Sequence, residues 1–180
     1  VVMGVNFLEK IQIKKANLKE EKQIYKVVKN AFDEYKQGKH NPDLEEGIKD
    51  IKKDIKENIV LVVKNKNQEN EIIGTLRLVP KNSGKVYLKK FAILPEFQNY
   101  GLGTLLFKKA EETAKAKGYK KIYLHSSTED KKLVKFYKKL GFECTDISEN
   151  MGYERGLWVK ELSWKILIYE GTFSGNWDSD

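Results

Sequence analysis

Residues 86–116, VYLKKFAILPEFQNYGLGTLLFKKAEETAKA, constrain what this chain can fold into more than any other stretch. Val86, Leu88 and residues 91–94 supply the β-branched and aromatic bulk of a strand. Pro95 ends it, because proline has no N–H to give a ladder. Past Gln98, Asn99 and Tyr100 an amphipathic helix begins. Leu102, Leu105, Leu106 and Ala110 share its apolar stripe, with Lys108, Lys109, Glu111 and Glu112 turned away. The order is strand, glycine turn, helix N-terminus. First-turn N–H groups have no partners inside a helix, and the helix dipole adds roughly half a positive charge there. Gly101 and Gly103 carry no side chain to hold an anion off, so the backbone around them reads as an anion cradle. A plain tight turn would use the same two glycines. A nucleotide P-loop is excluded by the lack of Gly-Lys-Ser/Thr, and a dinucleotide loop by the lack of a third glycine in register.

The rest of the chain supplies alternating helices and strands. Residues 7–14 alternate as a first strand, and Asn17 with Glu20 forms a capping box for a helix over 18–35. Residues 38–42 break the pattern, and Asp43 opens a shorter helix to about 58. The apolar run 59–64, the polar turn 65–70, the strand 71–79 and the turn 82–84 give a three-strand antiparallel meander that ends in the glycine loop. Gly118 stops the long helix, and residues 121–125 form a buried strand, parallel to the one before the loop because a helix crosses between them. Ser127 or Thr128 caps a last helix striped with Leu133, Phe136, Tyr137 and Leu140. Residues 142–147 and 157–169 read as two more strands, and 171–180 as a frayed tail. The expected architecture is α/β of the α+β type. A mixed, mostly antiparallel sheet of about seven strands is flanked by about four helices, all in a single domain over 1–180.

Composition narrows the function. Net charge is +8, but arginine occurs only at Arg77 and Arg155, and the lysines alternate with glutamates. Readers of nucleic acid favour arginine forks, so a solvated surface is the expectation, and a nucleic-acid-binding domain is the least favoured reading. No apolar run approaches the ~20 residues that span a membrane, and the opening residues lack a basic lead before a long apolar run; the expectation is a cytoplasmic protein with no membrane partner. One cysteine, Cys144, rules out an internal disulfide framework and is expected as a small buried side chain rather than an acyl carrier. Two histidines far apart argue against a structural metal site.

The cassette as a whole is more specific than its glycines. Ile93-Leu94-Pro95, then Gln98-x-x-Gly101-x-Gly103, helix, strand and Phe136-Tyr137-x-x-x-Gly141-Phe142 follow in fixed order. This resembles the GNAT superfamily of acetyl-CoA-dependent N-acetyltransferases, strongly over about 86–143 and by element order outside it. The resemblance implies that the parallel pair splays at the middle of the sheet. It implies that the backbone of Phe91, Ala92 and Ile93 pairs with the pantetheine arm, with the acetyl carbonyl approaching the Ile93 N–H. Gln98, Asn99, Tyr100, Gly101, Leu102, Gly103 and Thr104 would cradle the pyrophosphate. It places Asp130 where the family often has a cofactor-touching asparagine. The implied partners are a CoA thioester and an amine acceptor, with a homodimer left open. A CoA-binding module without catalysis is the nearest alternative.

For the chemistry, Tyr137 lies on an apolar stripe where packing alone would justify it; the resemblance makes its hydroxyl the acid that protonates the departing thiolate. A phenol of pKa about 10 keeps its proton at neutral pH. No carboxylate stands on the strand before the loop, which offers Tyr87, Lys89 and Lys90. His125, twelve residues before Tyr137, occupies the position where some members carry a glutamate base. With a pKa about 6.5 it could take a proton from an attacking ammonium through a water, or it could simply cap its strand or bond a carbonyl. Residues 35–42, with His40, would wall the acceptor site; their basic character argues against a long polyamine.

Overall fold

Two polar turns reverse an apolar chain twice, and a meander results. The computed structural model describes residues 7–33, 46–150 and 152–162. In it β1 (Ile11–Lys15), β2 (Ile59–Asn65), β3 (Glu71–Lys81) and β4 (Lys85–Ile93) pair antiparallel in sequence order. Between the first two lie α1 (Glu21–Asp33) and α2 (Ile48–Glu57). After the glycine loop, α3 (Leu102–Ala116) crosses the sheet to β5 (Lys121–Ser127), which runs parallel to β4. Then α4 (Lys131–Lys139) leads to the ribbon of β6 (Glu143–Asn150) and β7 (Tyr153–Glu161). The seven-stranded order is β1-β2-β3-β4-β5-β7-β6, mixed and mostly antiparallel with one parallel pair, as expected.

Some boundaries move for local reasons. The first strand starts at Ile11 because Leu8–Lys10 close a 3-10 turn. Asn17 and Glu20 make the expected capping box, but across a 3-10 turn that precedes α1. The last helix is capped by Asp130, whose Oδ1 accepts from the N–H groups of Lys132 (2.9 Å) and Leu133 (3.1 Å), not by Ser127 or Thr128. Cys144 is exposed, not buried, because it lies on β6 beside that strand's irregularity at the sheet edge. The expected break at 38–42, the opening of the second helix at Asp43, the acceptor segment 35–42 with His40, and the strand beyond 162 fall outside the described residues.

Helices cover both faces of the β2–β3–β4 half. Every residue of β2 is buried, as a strand walled on both sides must be. On one face Leu76, Leu78 and Leu88 meet the apolar side of α3, where Leu102, Leu106, Phe107, Ala110 and Ala114 are buried. On the other face Arg77 points to α2. Its guanidinium is fully buried, forks onto the Glu46 carboxylate, and donates to Asp54 Oδ2 at 2.7 Å. Lys89, opposite Arg77 on β4, reaches the same Asp54 oxygen at 3.0 Å. Burial alone would raise the pKa of Asp54, but hydrogen bonds from Lys89 and Arg77 outweigh it and hold the carboxyl below its usual 3.8.

One irregularity shapes everything downstream. Lys89 pairs with Arg77 and Ala92 with Thr75, so Lys90 and Phe91 together oppose Leu76, with Lys90 left-handed at φ 52°. This is a β-bulge, which bends its strand and sharpens its twist. Before it, Lys89 faces α2; after it, Phe91 faces α4, its ring 5.7 Å from that of Phe136.

Candidate active site

The bulge sits where β4 leaves β5. The two parallel strands register only at Lys85↔Lys121, Val86↔Ile122 and Tyr87↔Tyr123. From Leu88 onward β4 keeps β3, while β5 pairs with β7 along its whole length. The sheet is split along its middle. The Leu94 N–H donates to the Ile73 carbonyl of β3 at 2.9 Å. By strand alternation the N–H and C=O of Ile93 therefore point into the split, while those of Ala92 point to β3. The Ile93 carbonyl already accepts from the Gln98 side-chain amide at 2.9 Å, which ties the loop to the strand end.

The split opens onto the N-terminus of α3. Asn99 (φ 65°) and Gly101 (φ 82°) are left-handed, and Gly101 is the N-cap with no side-chain cap bond. The N–H groups of Leu102, Gly103 and Thr104 thus have no helical partner. A Cβ built on Gly101 would meet nothing within 4 Å, whereas one on Gly103 would lie 3.3 Å from Phe136 Cζ and 3.7 Å from Phe91 Cζ. The two glycines do different work: Gly101 sets the turn and leaves space, and Gly103 lets the first turn of α3 sit on two rings. Tyr100 is exposed beside them. Asp130, expected as a cofactor contact, has Oδ1 engaged in its own helix cap.

Tyr137 and His125 lie on opposite faces. Tyr137 is buried on α4 among Phe136, Phe142 and Trp158. Trp158 pairs with Leu124 on β5, so Tyr137 covers the Leu124 face. His125, the next residue, points the other way and is exposed. There its Nδ1 lies 3.2 Å from the Tyr87 hydroxyl, with the ring centroids 5.7 Å apart. Tyr123 packs on Tyr87 at 5.0 Å from the same face. Lys89 follows two residues along β4, tethered to Asp54. Tyr87 was not expected in the site. The only signal for it is its register with Tyr123 across the parallel pair, which neither local sequence contains. A phenol and an imidazole on one side of the split, with a second phenol on the other, form a system that can accept a proton on one face and deliver one on the other.

Residues 23–142 match the family model described as Acetyltransferase (GNAT) family. The chain is 45% identical over 53 residues to an uncharacterized N-acetyltransferase of Methanocaldococcus jannaschii, 29% of this chain and 24% of that one. It is 30% identical over 70 residues to the Drosophila melanogaster protein named Probable N-acetyltransferase san, 38% of each. The matches thus span about a quarter and well under half of these relatives. In fold it resembles the PaiA N-acetyltransferase from Thermoplasma acidophilum, solved in complex with coenzyme A. That likeness has a TM-score of 0.70 at 19% identity and covers 84% of this chain and 98% of that one.

Proposed function

The chain belongs to the GNAT acetyltransferase family, and from that premise we propose that it moves the acetyl group of acetyl-CoA to a primary amine of a small molecule or peptide by direct transfer. One observation carries the reading: the only parallel pair among the described strands parts after three registered residues and opens on the uncapped, glycine-led N-terminus of α3. A thioester arm fits such a split as an added strand, and its pyrophosphate fits the space over Gly101. The relative solved with coenzyme A supports the choice of donor.

In this reading the backbone of Ile93 and Phe91 pairs with the pantetheine arm, Ala92 holding the strand to β3. We place the acetyl carbonyl at the bulge end of the split rather than at the Ile93 N–H, because Ile93 lies six residues beyond Tyr87 on β4, roughly 17 Å by strand rise. Residues 98–104 hold the pyrophosphate through backbone N–H groups, and Asp130 stands at the rim as a helix cap. The amine enters from the face of Tyr87, Lys89 and His125. Its nitrogen lone pair forms the new C–N bond at the thioester carbonyl, and the ammonium proton leaves through Tyr87 to His125: the phenol takes it while giving its own to Nδ1. The tetrahedral adduct then breaks its C–S bond, and the Tyr137 hydroxyl, on the opposite face, protonates the thiolate. Both protons are accounted for, and no acyl-enzyme at Cys144 is required. We read residues 1–180 as one acetyltransferase domain acting in the cytoplasm; among the described residues no helix is long and apolar enough to cross a membrane.

The test is release of CoA thiol from acetyl-CoA over a panel of primary amines, amino acids, aminoglycosides and peptide N-termini. Acetylated product with at least one amine class, confirmed by mass, is expected. Tight CoA binding with no turnover on any amine would convert the reading to a CoA-binding module.

A further inference from the structure

The phosphate cradle is built between β4 and α3, but one of its walls comes from the far edge of the sheet. The register runs Ile11↔Asn65, Asn65↔Glu71 and Gly74↔Ile93, so the start of β1 lies at the same end of the sheet as the end of β4. Just before β1, the chain closes a 3-10 turn: Lys10 N donates to Phe7 O at 3.0 Å, and Lys66 N donates to Lys10 O at 2.9 Å. This turn carries the Phe7 ring over the cofactor loop. It stacks on Phe97 at 5.9 Å and 8°, and meets the edge of Tyr100 at 6.2 Å and 64°.

These two partners bracket the loop's hinge points. Phe97 is buried in the turn after β4, and Tyr100 stands between the two left-handed residues Asn99 and Gly101. On the β4 side the loop is tethered by the Gln98 side-chain bond to Ile93 O. We propose that Phe7 is a positioning residue for the cradle: its ring holds residues 97–100 in the conformation that aims the N–H groups of residues 102–104 at a phosphate. The inference rests on the cofactor reading above and adds to it a residue more than ninety positions away in sequence. A loop that is competent only part of the time binds with its affinity reduced by that fraction. An aromatic pair holds its partners strongly enough that losing both contacts should cost about fivefold to twentyfold.

The experiment has two arms on Phe7→Ala, Phe7→Tyr and the core substitution Ile24→Val on α1, all against the parent. Amide hydrogen exchange of residues 98–104 in protein without CoA reads the loop directly. Titration with CoA, together with KM for acetyl-CoA and for the best amine of the panel, reads the consequence. Phe7→Ala should speed loop exchange about tenfold, weaken CoA about fivefold to twentyfold and leave the amine KM within twofold. Phe7→Tyr keeps the ring and should restore both, while Ile24→Val should lower Tm and change neither. Parental exchange and parental CoA affinity in Phe7→Ala, with only Tm reduced, would overturn the positioning role and leave the cofactor reading standing. A parent that does not bind CoA would overturn the cofactor reading, and the cradle role with it.

Discussion

Gly101 and Gly118 form a matched pair for testing the cradle. Both lie at φ 82°, both bound α3, and a Cβ added to either meets nothing within 4 Å. Alanine at either site should therefore cost only the left-handed strain of an L-residue, about 1–2 kcal/mol. For a chain of this size that is a fall in Tm of about 2–8 °C, the same for both. They differ in position. Gly118 closes the C-terminus of the helix, its N–H on Lys115 O at 2.8 Å, about 22 Å from the loop by helix rise. Gly101 leaves its open space where the phosphate is placed. A methyl there displaces an anion from at least one N–H, and a charge-assisted hydrogen bond is worth about 1.5–3 kcal/mol, or roughly a ten- to hundredfold loss of CoA affinity. Calorimetric titration with CoA and thermal melts on Gly101→Ala and Gly118→Ala provide the comparison. Equal Tm losses with CoA weakened only in Gly101→Ala are expected. If both variants bound CoA as the parent does, the cradle would not be at this helix N-terminus.

Tyr137→Phe keeps the packing against Trp158 and Phe142 and should lower kcat by roughly 10²–10⁴-fold with the acetyl-CoA KM unchanged, measured in a steady-state thiol assay. If Tyr87 and His125 share one proton path, Tyr87→Phe and His125→Gln should each flatten the acidic limb of the pH–rate profile, and the double variant should be no slower than the worse single; additive losses would separate the two roles. Arg77→Met takes the guanidinium from the Glu46 carboxylate and leaves Asp54 to Lys89, and should destabilise by about 3–5 kcal/mol in urea unfolding; a loss under 1 kcal/mol would contradict the burial argument. The folded pKa of Asp54 is depressed, so its stabilisation is present above the unfolded value near 3.8 and lost as pH falls through the folded one. Asp54→Asn should therefore be less stable at neutral pH and show a shallower acid limb in thermal melts.

The strand–glycine–helix cassette was legible because its signals are local: Pro95 stops the strand, the glycines permit the turn, and the leucine spacing names the helix face. The meander followed from turn chemistry, and the parallel pair from the helix that crosses between its strands. What escaped reading depends on register between distant segments. Tyr87 meets His125 across 38 residues, and Arg77 meets Glu46 across 31. The helix cap was misplaced because Ser127, Thr128 and Asp130 are all competent caps, and the choice is made by where β5 lets the chain go. Gly103 was read only as leaving room for phosphate; that it also leaves room for Phe136 depends on a helix that arrives more than thirty residues later.

The bulge at Lys90 has a counting consequence. Before it, odd-numbered residues of β4 look to α2 and even-numbered ones to α3; after it the parity is exchanged, so that Phe91 joins the α3–α4 side and Ala92 the side of Thr75. Deleting Lys90 would restore strict alternation with Phe91 alone opposite Leu76 and Ala92 still opposite Thr75, so every later side chain would keep the face it now holds. Lys89 would still look to α2 and Phe91 to the first turn of α3, but β4 would lose the bend and added twist that follow its last residue in register with β5. The extra residue does not choose the two faces; it turns the strand away from its parallel neighbour where the sheet opens.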